Sequence, residues 1–428
     1  MCYRNCTITV IERSLHPRHT GQQIDIRGFG VDVMRRMGIE DAVRAKLVHE
    51  PGMMVVDAAG RRRVYFKMKT GGKGDLSISS EFEIMRGDLC ELLEGLVAGN
   101  DGVEVKYGVV VKEMREWEGE EGVRVVLEGV KDGSGDGDTG TRKRWEEHFD
   151  LVIGCDGTRS STRKMMLDDC DNTFHTKGAA VAWTTIPKED GDTNDFTWFL
   201  APGGRLICTR MDSPHCLRVL FTTGPLPEGH PIRRSFANGT LMEQRKAWAD
   251  HFHDAGWKSE RIATEVARSE LAADFHAAEL GTVRMEKWYR GRVALLGDAA
   301  FCAPPTGWGT AMAFVGAYVL AGELASHCGL SAGRSRDELD VGKARAAVPN
   351  ALRAYDETVR PLITKMQKAS KAGTWLPKSK LAIAASITTM SLIETLNLDG
   401  LLMRMSTGGG TDFGWKLPEY EELGRPDQ

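Results

Sequence analysis

The sequence predicts an α/β fold: a unit of parallel strands, interrupted by an insertion with its own sheet, and followed by a helical C-terminal region. Three observations predict it. First, apolar β-rich runs at residues 6–11, 149–153 and 292–296 lead into acidic residues, Glu12, Asp156 and Asp298, as buried strands of an open parallel sheet lead into their ligand-binding ends. Second, residues from about 170 to 285 carry short separate strands and then helices. Third, the pattern after about 335 is mainly helical to near 405.

In chain order, CTITVI (6–11) is near-continuously apolar and ends in Glu12-Arg13. Val31 to Met37 follows with a helical pattern and Gly38 as its stop. A second helix begins near Arg86, with Leu89, Leu92, Leu93 and Leu96 on one face. Residues 103–111 and 122–128 read as strands, and the polar run 130–141 as a loop. Strand 149–153 enters a turn at Gly154-Cys-Asp-Gly157. In the insertion, 179–186, 197–200 and 217–222 read as strands, Pro202 to Arg205 as a hairpin turn, and about 240–280 as helices. The strand 292–296 precedes Gly297-Asp298 and a small-residue helix, Ala311–Leu324. The divisions expected are 1–165, which lends some strands to the insertion; 166–285, the insertion; 286–335, the return of the first unit; and 336–428, the helical region.

Composition narrows the function. With 41% apolar and 27% charged residues the chain reads as globular. A net charge of −4 gives no basis for binding nucleic acid or an anionic membrane. Nine cysteines with no C-x-x-C pair argue against a zinc site or redox dithiol and for reduced thiols in the cytoplasm. The N-terminus lacks a signal-peptide core, and Leu381–Leu398 carries too many polar residues for an integral membrane segment. His16, His19, His251 and His253 read as surface residues rather than metal ligands.

Three constellations carry chemistry. A strand ending in Glu12 offers a carboxylate of the kind that binds an adenosine ribose; alone, it is an ordinary strand ending in a charge. DLVIGCDGTRSSTR (150–163) brings a strand into a glycine turn. The most informative is GDAAFCAPPTGWGTAM (297–312), where a strand delivers Asp298 and Gly307 and Gly309 expose backbone N–H groups at a helix start, a site suited to anionic oxygens. The G-x-G-x-x-G match at Gly135, Gly137 and Gly140 opens no helix, carries Asp136 and Asp138, and is set aside as a loop.

Taken with GQQIDIRG (21–28), IMRGDL (84–89) and LPEY (417–420), these motifs resemble those of class A FAD-dependent monooxygenases, the para-hydroxybenzoate hydroxylase-like family, nearest its tetracycline-inactivating and fungal secondary-metabolite branch. The resemblance spans about residues 6 to 370 and implies a Rossmann-like FAD-binding domain around an inserted substrate domain. It assigns FAD contacts to Glu12, Arg13, Asp25, Arg86, Asp156, Asp298, Gly307, Gly309, Thr310 and Ala311. Arg18 would meet NADPH or NADH, and Trp183, Trp198 and Arg210 would face the substrate, with Phe199 near them. The reaction implied is oxygen transfer from molecular oxygen, through a flavin hydroperoxide, to an aromatic, polyketide-like or enolic small molecule. Epoxidation, Baeyer–Villiger insertion and a non-catalytic FAD-deficient binding protein are the alternatives; halide oxidation lacks its W-x-W-x-I-P signature.

Two departures from the family pattern stand out. Phe301 replaces a common histidine, and no strand–glycine loop–helix precedes Cys6. The FAD-binding domain is therefore expected to be incomplete at its N-terminus, and the chain as written is expected to hold FAD weakly.

Overall fold

The computed structural model describes residues 6–18, 21–48, 50–67, 81–116, 122–130, 143–167, 173–303, 307–330, 339–369, 376–398 and 414–424. The chain opens with β1 (Ile8–Glu12), β2 (Gln23–Ile26), α1 (Phe29–Arg36), α2 (Glu40–Arg44), β3 (Gly52–Val56) and β4 (Arg62–Lys67). β5 (Phe82–Met85) runs directly into α3 (Arg86–Ala98), followed by β6 (Val103–Tyr107), β7 (Val109–Glu116), β8 (Val123–Gly129), β9 (Arg144–Phe149), β10 (Val152–Gly154) and α4 (Ser161–Met166). Next come β11 (Phe174–Pro187), β12 (Phe196–Ala201), β13 (Arg205–Ser213) and β14 (Cys216–Thr223). Three helices, α5 (Pro231–Asn238), α6 (Leu241–Phe252) and α7 (Ser259–Arg268), separate these from β15 (His276–Val283). The chain returns through β16 (Tyr289–Arg290), β17 (Val293–Leu295), α8 (Asp298–Phe301) and α9 (Gly309–Cys328), then α10 (Val341–Ala369) and α11 (Lys380–Thr395).

The largest sheet has seven strands in the order β15-β11-β14-β13-β12-β3-β4. Strict alternation of burial along β14 gives it two distinct faces. One face buries Ile207, Val219 and Phe221 against Trp248, Phe252, Ile262 and Val266 from α6 and α7. α6 starts with a capping box in which Thr240 and Glu243 satisfy each other's backbone N–H groups. The other face carries Trp198 and Leu206 and meets Ile383, Ile387 and Met390 of α11.

The first unit is built from smaller pieces. β1 pairs in parallel with β6, β10 pairs in parallel with β17, and β16 closes that sheet antiparallel. β2 and β5 form an antiparallel ribbon, and β7-β8-β9 an antiparallel sheet. α9 is the shared core helix; Val315 and Val319 are fully buried. Its small residues allow close approach: a Cβ on Gly30 of α1 would come within 2.8 Å of Ala311. Tyr355 of α10 donates to the Leu295 carbonyl at 3.1 Å and ties that helix to β17. Among the described helices α9 alone is long and apolar enough to cross a membrane, and 61% of its apolar window lies inside the protein.

Several expectations are corrected. The run 103–111 is two strands in different sheets, because Gly108 turns the chain at φ 67°. The expected helical stretch to 280 ends earlier, and 276–283 is a sheet strand. On α3, Leu89 is buried but Leu96 is 51% exposed, so the four leucines do not share a core face. β1 is parallel as expected but not buried: Ile8 is 42% and Val10 40% exposed, and Ile153 on β10 is 40% exposed. β1 and β10 each have a single strand partner among the described residues. His251 is half-buried, edge-on to His230 at 4.8 Å, and not a surface residue. Residues 131–142, which hold the rejected glycine motif, and His19 lie outside the described residues.

Candidate active site

Three of the expected site residues lie at the carboxyl ends of parallel strands: Glu12 ends β1, Asp156 follows β10 and Asp298 follows β17. α9 runs beneath these strands in the opposite direction. Its last residue, Cys328, feels both Cys6 ahead of β1 and Arg292 ahead of β17, so its first turn lies at their carboxyl ends. That first turn leaves backbone N–H groups without intrahelical acceptors, and no side chain caps it. At Gly309 an added Cβ would meet nothing within 4 Å, so a ligand can approach the backbone there. Gly307 is left-handed at φ 77° and stands against the ribbon; its Cβ position is 3.2 Å from the Asp25 carboxylate. Thr310 is half-buried and Ala311 buried behind them.

Asp298 begins α8 just after Gly297, which turns at φ 63°. Its surface is accessible, yet the surrounding protein raises its carboxyl pKa through desolvation, opposed by a hydrogen bond from the Cys302 thiol. Accessible but desolvated is the condition of a cleft wall. Cys155 shares it: exposed, with its thiol pushed up to about 11 by burial. Asp298 has no cationic partner within 4 Å among the described residues, which suits a carboxylate meant to accept hydroxyl hydrogen bonds. Glu12 accepts the Ser14 N–H at 2.7 Å, and Arg18 stands 3.9 Å from the same oxygen.

Asp156 is tied into its own turn. Its carboxylate accepts from the Ser160 hydroxyl at 2.5 Å and from the Thr162 N–H at 2.9 Å. Both oxygens are thereby engaged in shaping the start of α4. A ligand at this turn would meet the backbone of Gly157, whose Cβ position is open.

The basic groups converge on one point. Arg86, at the β5–α3 junction, together with Arg18 and Arg13, lowers the pKa of His276, after burial as the first cause. Neither Arg13 nor Arg86 has a carboxylate within 4 Å among the described residues, so positive charge is left over for an anionic ligand. Asp25 is held by Arg27 at 3.0 Å.

Trp183, Trp198 and Arg210 lie on one face of the seven-stranded sheet. Register places Val55, Trp198, Cys208, Leu220, Trp183 and His276 in a single cross-strand row. Trp183 stacks on His276 at 5.9 Å, which links this row to the arginine cluster. Trp198 meets Phe196 edge-on at 5.7 Å and packs beside Ile387 and Met390 of α11, so part of its surface is structural. Phe199 points to the opposite, helix-covered face, away from the two tryptophans. Arg210 is occupied by Glu50, Glu83 and Gln23, and its guanidinium lies over the Phe196 ring.

Sequence reasoning missed several positioning residues. Arg163 is buried and donates to the carbonyls of Ala299 at 2.8 Å and Thr158 at 2.6 Å, stapling the glycine turn to the Asp298 segment. An arginine in a polar motif gave no sign of burial. Gln367 of α10 reaches the carbonyls of Val283, Phe301 and Cys302 from more than sixty residues away. With Trp308, Met312 and Ile363 it walls a small recess beside Asp298. Phe301, at the family's histidine position, is buried against Trp288.

Comparison with known proteins agrees with this geometry. The FAD binding domain family matches residues 7–347. The FAD-dependent monooxygenase asL4 of Sarocladium schorii is 32% identical, covering 97% of this chain and 93% of its own length. The flavin-dependent monooxygenase eupH of Phoma sp is 35% identical over 88% of this chain and 84% of its own. Among solved structures, tetracycline destructase Tet(51) is similar at TM-score 0.68 and 25% identity, covering 97% of this chain and 92% of that one.

Proposed function

We propose that this chain, which belongs to the FAD binding domain family and is an FAD-dependent monooxygenase, draws electrons from NADPH or NADH and hydroxylates an aromatic or enolic metabolite. The observation that carries the reading is the proximity of the aromatic row to the arginines. The aromatic row of the seven-stranded sheet ends at His276, which lies within electrostatic range of Arg13, Arg18 and Arg86.

The residues fit FAD. Asp298 and Glu12 would accept sugar and ribityl hydroxyls, the open backbone at Gly157 and Gly309 would take its anionic and ring-edge oxygens, and Arg86 and Arg13 would balance its phosphates. Asp25, Gly307, Thr310 and Ala311 would flank the ring. Bound FAD supplies the redox chemistry and the activation of molecular oxygen. The chain's own work is orientation and exclusion of water. Arg18 would receive the nicotinamide cofactor. Trp183 would offer a flat face to a polyketide-like or phenolic ring, and Trp198 would form the deeper wall. The fungal relatives support a role in secondary metabolism, and a cytoplasmic location belongs to the same reading.

The test is NADPH oxidation by FAD-loaded protein with a panel of phenolic polyketides, followed by mass analysis of the products. Addition of a single oxygen atom, with KM raised by Trp183→Ala, supports the reading. NADPH turnover that no aromatic or enolic compound stimulates would sink it.

A further inference from the structure

Between the β2–β5 ribbon and the large sheet lies a buried cluster of charges that the reading above leaves unused. Glu50, in the segment ahead of β3, has a side chain only 1% exposed. Arg210 of β13 approaches it at 3.2 Å, while Arg210 also grips Glu83 of β5 and Gln23 of β2. The Glu50 oxygen nearest Arg210 lacks hydrogen-bonding geometry, and so does the Gln23 amide nitrogen. Asp25 acts electrostatically on both Glu50 and Arg210, and itself pairs with Arg27 beside Gly307. Among the described residues, the cluster thus holds three carboxyl groups, Glu50, Glu83 and Asp25, against two guanidiniums, Arg210 and Arg27. Where water is excluded, an excess carboxylate is more stable with its proton on.

We propose that Glu50 is a positioning residue that keeps its proton in the working enzyme, so that Arg210 pairs with Glu83 and its remaining positive field serves an anionic substrate oxygen, a phenolate or enolate. The substrate half of this statement rests on the function proposed above; the proton half does not. Glu50 is the member best suited to be neutral. It is the deepest, it shares the guanidinium of Arg210 with Glu83, and burial is the largest influence on it, raising its pKa to about 8 against the pull of Arg210. Burial works against the charge on Arg210, and Glu83 beside it holds the guanidinium charged. Loss of the Glu50 proton would draw the guanidinium toward Glu50 and weaken its hold on a bound anion.

The test needs neither substrate nor flavin. Infrared spectra of the protein and of Glu50→Gln are recorded across the window from the ordinary carboxyl range to above pH 8. The proposal expects a protonated carboxyl band that disappears near pH 8 in the wild-type protein and is missing throughout in Glu50→Gln. A wild-type spectrum with no carboxyl titrating above the ordinary range overturns it; this result decides even if the variant does not fold. Once a substrate is in hand, kcat/KM should fall through about pH 8 in the wild-type enzyme and stay level in Glu50→Gln. Identical pH profiles would reduce the cluster to a structural clamp. If the infrared band behaves as expected and no phenol or enol is turned over, the proton assignment stands and the substrate reading alone fails.

Discussion

The two sheet-bearing halves of this molecule solve opposite problems. In the seven-stranded sheet, β14 alternates between two covered faces, and Trp248, Phe221 and Phe252 are fully buried beneath α6 and α7. In the nucleotide-side half, β1 and β10 belong to separate short sheets, and Ile8, Val10 and Ile153 keep about two-fifths of their surface in solvent. The first half is a rigid wall. The second gathers charged and glycine-rich strand ends and leaves apolar strand surface open. The half that would present the proposed substrate face covers β14 on both sides, and the expected FAD contacts at Glu12, Asp156 and Asp298 lie in the half with open strand surface.

This contrast can be tested by mutation. Trp248→Ala should cost about 3–5 kcal/mol, because it empties a close-packed site, and urea unfolding should report the loss. Arg163→Met removes charged hydrogen bonds to two carbonyls and should cost roughly 3 kcal/mol. It should also weaken FAD binding, since the turn at Gly157 and the Asp298 segment lose their staple. A smaller effect is expected from pH. Burial holds His251 low, at about 4, so it folds neutral; stability is present above its ordinary 6.5 and is lost as pH falls toward 4. Glu50 acts in the opposite sense: its raised pKa means stability is full below 4.5 and is lost as pH rises to about 8. Thermal melts should therefore show two limbs, with His251→Phe flattening the acid limb and Glu50→Gln the alkaline one. The smallest effect belongs to the open strands. Ile8→Thr should change stability by no more than about 0.5 kcal/mol, and a loss comparable to that of Trp248→Ala would show that β1 is as well packed as the large sheet.

Local pattern carried much of this architecture. The runs ending at Glu12, Asp156 and Asp298 are parallel strands leading into the site, because apolar runs and glycine turns are properties of adjacent residues. The ribbon β2–β5 and the hairpin β3–β4 were not read as strands. They are short, and β2, β5 and β3 also have partners far along the chain: Gln23 opposes Met85, and Phe196 opposes Met53. For the same reason Asp25 was found through a motif, while Glu50, Glu83 and Gln367 were not found. Their character comes from burial and from partners brought together only by folding. Asp156 was found through its motif, and local hydrogen bonds also engage its carboxylate in the turn.

The most direct test of the account is an FAD titration followed by flavin fluorescence. It would use this chain and its Asp298→Ala variant. Asp298→Ala is expected to weaken binding at least about tenfold, the scale of one lost charged hydrogen bond. Undiminished FAD affinity in Asp298→Ala would contradict the placement of the cofactor across the carboxyl ends of β1, β10 and β17.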